Sequence, residues 1–227
     1  MKNTVFCLSI VWAGVWLSSA PTLGQQNTFR PALRDLAHAV DAHYNHLRSL
    51  EGEFTETYSG NGAQREESGT LWLKKPRKMR WEYRSPKEKL FVSDGQSVWF
   101  YVPAEKQARK TDLKKLDDLR SPIAFLLGKT KLENELLGLS KVVDQPPAVS
   151  GDTVLRGVPK AGMAQVSEVQ LEISVSNQIV RIVLMDADGG TTEFRFKDWK
   201  ENVEVSESLF HFTAPPGVEM VEGALGQ

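Results

Sequence analysis

Cys7 is the only cysteine in the 227-residue chain. A lone thiol excludes a disulfide scaffold and a zinc site built from cysteine. A surplus of either charge is missing too. Lys and Arg number 28 against 29 Asp and Glu, a formal net charge of −1. That balance offers no basic face to displace counterions from nucleic acid and no polybasic anchor for an anionic membrane surface. Catalytic signatures are also absent: there is no phosphate loop, no dinucleotide fingerprint, no serine elbow and no HExxH. His43 and His46 lie three apart, but no carboxylate cluster accompanies them, so they read as surface histidines rather than a metal pair. Glu66-Glu67 and Asp117-Asp118 are adjacent, which in a strand sends the two side chains to opposite faces. They read as solvated charges. The expectation is therefore no catalytic residue, no metal and no cofactor.

Only one long hydrophobic run exists, Val5 to Leu17 behind Lys2. It falls short of the roughly 20 residues that a membrane span needs and has the length of a signal-peptide core. Pro21 obstructs cleavage after Ala20, so Thr22-Leu23-Gly24 is the better cleavage site, making 1–24 a removed signal. Cys7 would leave with it, and sits too early in the run to accept a lipid anchor. The mature chain is then secreted and held by its core alone. It reads as a single domain over 25–222, with a flexible tail at 223–227.

What the chain does have is pattern. Leu33, Leu36, Ala37, Val40, Tyr44 and Leu47 recur at spacings of three and four, which predicts a helix over 31–48. From Glu53 onward the pattern becomes short strands with tight turns at Gly60-Asn61-Gly62, Lys75-Pro76, Ser85-Pro86 and Asp94-Gly95. Such turns imply an antiparallel meander, because parallel strands need long crossovers. Lys78–Tyr83 alternates cleanly, with Met79, Trp81 and Tyr83 on one face and Lys78, Arg80 and Glu82 on the other. Helical pieces interrupt the strands: Ile123 to Leu127, stopped by Gly128, then one carrying Leu132, Leu136, Leu137 and Leu139. Strands return over 153–196, and Leu209–Thr213 reads as the last one. The residues 140–152, with Pro146-Pro147, fit no pattern. The meander is dense in aromatics, and several of its strands are apolar on both faces. Two architectures suit that composition: a β-sandwich core, or a curved sheet around an apolar cavity with helices as its cover.

The residues Gly69-Thr70-Leu71-Trp72-Leu73-Lys74-Lys75-Pro76, Met79-Arg80-Trp81-Glu82-Tyr83, Val92-Ser93-Asp94-Gly95 and Val98-Trp99-Phe100-Tyr101 resemble, in order and spacing, the LolA family of periplasmic lipoprotein carriers. Phe210-His211-Phe212-Thr213-Ala214-Pro215-Pro216-Gly217-Val218 is similar to that family's closing segment. The resemblance implies an incomplete, half-open antiparallel β-barrel covered by a helical lid, with an apolar cavity between them. Lipoprotein acyl chains would occupy the cavity. An inner-membrane ABC transporter would load it and an outer-membrane receptor of the LolB kind, where one exists, would unload it. The carrier would be a monomeric periplasmic chaperone, not an enzyme. Under that reading Leu71, Leu73, Met79, Trp81, Tyr83, Leu90 and Val92 line the cavity. Leu33, Leu36 and Val40 of the first helix and Ile123, Leu126 and Leu127 of the second form the lid. The family has an arginine before the proline of the Lys-x-Pro turn, which hydrogen-bonds lid carbonyls. Here Lys75 takes that place and is the candidate latch. A periplasmic lipid or glycolipid carrier or sensor of the same fold, and a secreted hydrolase with sugar- or peptide-binding aromatics, are the competing readings.

Overall fold

The computed structural model describes residues 29–113, 126, 131–160 and 166–223. Helix α1 spans Phe29–His46, shifted two residues toward the N-terminus of the predicted span. Then come β1 (Ser49–Gly60), β2 (Ala63–Lys74), β3 (Lys78–Ser85), β4 (Lys89–Asp94), β5 (Ser97–Val102) and β6 (Gln107–Asp112). A single turn of helix, α2 (Leu132–Glu135), leads into β7 (Leu136–Lys141). The chain closes with β8 (Thr153–Pro159), β9 (Val166–Ile173), β10 (Ile179–Asp186), β11 (Thr191–Glu201) and β12 (Glu219–Glu222).

All twelve strands belong to one sheet in the order β12-β6-β5-β4-β3-β2-β1-β11-β10-β9-β8-β7. Every neighbouring pair is antiparallel except β12 with β6. The sheet does not close, since β12 and β7 stand at its two ends. The hairpin turns have the residues their geometry demands. Asn61-Gly62 turns β1 into β2 with φ of 51° and 74°, as a two-residue primed turn requires. Asn177, Gly95 and Gly189 likewise take positive φ at their turns.

The sheet is strongly curved. Strands β3 and β11 lie three places apart in the order, about 14 Å across a flat sheet. Yet the rings of Trp81 on β3 and Phe194 on β11 come within 5.9 Å. Part of the bend is made at Gly52, where the β1–β11 register slips between Glu51 and Glu53. A β-carbon there would sit 2.3 Å from the Trp199 ring, so only glycine lets that indole lie against β1. Inside the curve, Ala37, Val40 and Tyr44 of α1 share one buried cluster with Phe54, Leu71, Trp81, Leu171, Ile182 and Phe196. The architecture is therefore an unclosed half-barrel with α1 laid in its hollow, not a two-sheet sandwich.

Two segments depart from expectation. Residues 136–139 are strand rather than helix: β7 pairs with β8, and Gly138 at φ 62° breaks any helical run. Leu132 and Leu136 are both buried, so the four-residue spacing of these leucines spans a helix-to-strand junction. The expected last strand at 209–213 is instead a 3-10 turn, Glu207–Phe210, capped by Ser206, followed by unpaired chain. That segment crosses the outer face of β3 and β4, where Phe210 is fully buried.

Candidate functional site

The hollow is built by strand parity. Residues paired across an antiparallel ladder share a face. Leu73 pairs with Met79, Leu71 with Trp81 and Gly69 with Tyr83, so all five predicted lining residues of β2 and β3 point the same way. They point inward, since Leu71, Leu73, Met79 and Trp81 are buried in the α1 cluster and Tyr83 packs against it. On β4 the inward positions are Phe91 and Ser93, opposite Trp81 and Met79. Leu90 and Val92, expected beside them, pair with Glu82 and Arg80 and so stand on the outer face. The cause is the C-terminal segment. It covers the outside of β3 to β5: Arg80 Nη1 donates to the Leu209 carbonyl at 3.0 Å, and Phe212 packs on Tyr101 with ring centroids 5.5 Å apart. Arg80, on the polar face of β3, lies under that cover rather than in open solvent, and β4 is apolar on both sides because both sides are covered.

The floor of the hollow is aromatic. Phe54 meets Trp81 edge-on at 4.6 Å and Tyr83 at 4.9 Å. Phe194, Phe196 and Trp199 continue the row on β11, with centroids 6.4 and 5.1 Å apart. The sequence reading missed these β1 and β11 residues. The alternation Phe194-Arg195-Phe196 was the available signal, but it does not say which face is inside.

The cover is α1. Leu33 and Leu36 pack against the cluster and Val40 is buried in it. Polar bonds tie the helix to the rim. Tyr44 Oη accepts the Ile179 N–H at 2.8 Å, His43 Nε2 meets Glu201 Oε1 at 2.9 Å, and Asp41 Oδ1 accepts the Leu132 N–H at 3.0 Å. Burial raises the Tyr44 hydroxyl above its ordinary pKa. It also raises Asp41, in spite of the Leu132 N–H. Lys75 Nζ donates to the carbonyls of Tyr44, at 2.6 Å, and Asn45, at 3.0 Å, in the last turn of α1. A cation there satisfies carbonyls that lack an intrahelical partner and faces the negative end of the helix dipole. Leu126 is buried in the main cluster and borders a recess with Leu47, Leu50 and Leu73. Ile123 and Leu127 lie outside the described residues.

The hollow has two unlike ends. Around Leu47, Leu50, Leu73 and Leu126 its exposed wall is aliphatic, although Arg48, Ser49, Lys74 and Lys75 also border the recess. Past Tyr83 it is polar: Glu56 accepts the Tyr83 hydroxyl at 2.8 Å, Lys89 pairs with Glu67, and Lys89 Nζ lies 4.4 Å from the Tyr83 ring centroid. Burial holds the Glu56 carboxyl above the usual range, and the neighbouring Glu67 adds to the rise. Burial and the Glu56 carboxylate together raise Tyr83.

An open antiparallel half-barrel with an aromatic hollow and a helix tied across it defines the class: a protein built to enclose something apolar. The chain belongs to the family of the outer membrane lipoprotein carrier protein LolA, whose model matches residues 45–213. It is similar to the outer-membrane lipoprotein carrier proteins of Hahella chejuensis and Sodalis glossinidius. The first is 32% identical, over 83% of this chain and 90% of that one. The second is 29% identical, over 84% and 89%. Among solved structures, an uncharacterized conserved protein from Thermus thermophilus superposes with a TM-score of 0.55 at 12% identity, covering 85% of this chain and 99% of that one, and shares the fold. No described helix is long and apolar enough to cross a membrane.

Proposed function

We propose that the protein is a periplasmic lipoprotein chaperone. It takes acyl chains into the hollow, shields them in transit, and delivers them to the outer membrane. An inner-membrane ABC transporter loads it and a LolB-like receptor, where present, unloads it. Residues 1–24 act as its cleaved signal, and no bond is broken in the cycle. The observation that carries this reading is the continuous inward face of Leu71, Leu73, Met79, Trp81, Phe54, Phe194 and Phe196, roofed by α1. Each methylene taken out of water is worth about 0.8 kcal/mol, so an acyl chain in the periplasm requires such a cover.

In this reading the structure corresponds to the closed state of that cycle. Its rings and α1 fill the hollow, so cargo enters by displacing the roof. Lys75, the Tyr44–Ile179 bond and Leu126 are the contacts that part in this cycle, and the bonds from Lys75 to the Tyr44 and Asn45 carbonyls support its assignment as the latch. Closure worth only a few kcal/mol can be overcome by acyl burial and restored on release. Depletion of the protein in its host tests the function: lipoproteins destined for the outer membrane should accumulate in the inner membrane fraction. Unchanged lipoprotein localisation on depletion would overturn the reading.

A further inference from the structure

The Trp81 indole N–H has no hydrogen-bond partner, and it is the only buried side-chain polar atom so placed among the described residues. Two other tryptophans of the sheet are satisfied: Trp72 Nε1 donates to Glu51 at 3.0 Å and Trp199 Nε1 to the Ile179 carbonyl at 3.2 Å. Trp81 is 2% exposed, so water does not reach it freely. Its ring neighbours are Phe54, Tyr83, Phe194 and Phe196. Phenylalanine there would fill the apolar space without leaving a donor stranded. A buried, unmatched N–H costs free energy in the closed protein, which makes it a candidate for a bond formed only when the hollow is filled.

Its place along the hollow says what that bond would be. On one side of Trp81 lie Met79, Leu73 and the aliphatic recess at Leu50 and Leu126. On the other side lie Tyr83 and the Glu56, Glu67 and Lys89 group. An acyl chain fits this gradient in one direction, with its methyl end toward Leu126 and its polar end toward Tyr83. The atom between chain and head group is the carbonyl of the acyl linkage, an acceptor with no donor of its own. We propose that Trp81 is the specificity residue of the hollow, its indole N–H donating to the acyl carbonyl and fixing the depth and direction of the chain. The proposal rests on the carrier reading and adds to it a preference for acyl over alkyl cargo.

Two probes isolate the bond: 1-oleoylglycerol, which has the ester carbonyl, and 1-O-oleylglycerol, the ether that lacks it. Each is titrated against a polyene-labelled fatty alcohol bound to the full-length mature protein. The ester should displace the label at roughly fivefold to tenfold lower concentration than the ether, the ratio one hydrogen bond supports. Replacing the Trp81 indole with a benzothiophene, the same shape without the N–H, should bring the two lipids to equal affinity. The indole N–H proton resonance of Trp81 should move downfield with the ester and not with the ether. Equal affinities for the parent protein, or a preference surviving the benzothiophene, would overturn the proposal and leave the carrier reading standing. If neither lipid binds, both fall together.

Discussion

Lys75 holds the end of α1 through its ammonium group, and the bond to Tyr44 O is short at 2.6 Å. Charge-assisted hydrogen bonds are worth about 1.5–3 kcal/mol when sheltered, less at a half-exposed rim. Lys75→Met should speed amide exchange in the last turn of α1 about tenfold while leaving β3 unchanged, and Lys75→Arg should restore protection. Glu56 makes a second prediction. Its folded carboxyl titrates above its ordinary value because burial disfavours the anion. The fold thus binds a proton that the unfolded chain has released. That favours folding below the unfolded carboxyl's titration near pH ~4.3, and is lost as pH rises through the higher folded value. Glu56→Gln keeps an acceptor for Tyr83 but removes this dependence. By thermal unfolding the variant should gain on the parent at about pH 7, with the gap shrinking toward about pH 4. At this scale the sequence was legible where one face of a strand is polar. Lys78, Arg80 and Glu82 gave β3 a sign, and its inward face followed. Leu90-Phe91-Val92 has no polar side, so parity alone could not orient β4.

The elements hidden from sequence are those held by partners far along the chain. Residues 140–152 showed no pattern: Ser140 and Lys141 end β7, and the anchor of the rest is a side chain on β9. Glu172, 1% exposed, accepts the Val149 N–H at 3.0 Å and pairs with Arg181 at 2.7 Å. Burial pushes its carboxyl up, but the Val149 and Ala148 N–H groups and Arg181 outweigh that and hold it below the usual range. Glu172→Ala should cost about 1–3 kcal/mol, because the Val149 N–H loses its acceptor while Arg181 keeps Glu193 at 3.3 Å. Limited proteolysis should then cut first within 142–152. Residues 209–213 were misread for a similar reason. Their alternation of apolar and polar residues suits a strand, but Glu207–Phe210 is a 3-10 turn, and Phe210 and Phe212 serve as pegs on the outer face rather than as ladder partners. Helix α1 was legible almost to its ends because its apolar stripe is local. Leu126→Ala, by contrast, tests the roof. It removes a buried contact among Leu47, Leu50 and Leu73 and should weaken closure by about 2–5 kcal/mol. Exchange should then rise across α1 while the amides of 79–83 stay protected. Equal loss of protection in both would make Leu126 part of the fixed core.

As a whole the molecule is one open sheet bent until β3 and β11 share a set of rings, with a helix closing the hollow. The choice between sandwich and half-barrel was not in the alternation, since both bury one face of each strand. It lies in the β11 bulge opposite Gly52, the sheet ends β12 and β7, and the placement of α1 inside the curve. The central claim is that cargo lies on the inner face. An acyl lipid bearing a diazirine near the chain end, bound to the mature protein, irradiated and mapped by peptide mass spectrometry, tests it most directly. Labelling should concentrate on Leu50, Leu73, Met79 and Leu126. Labelling concentrated on Trp99, Tyr101 and Phe212 of the outer face would contradict the account.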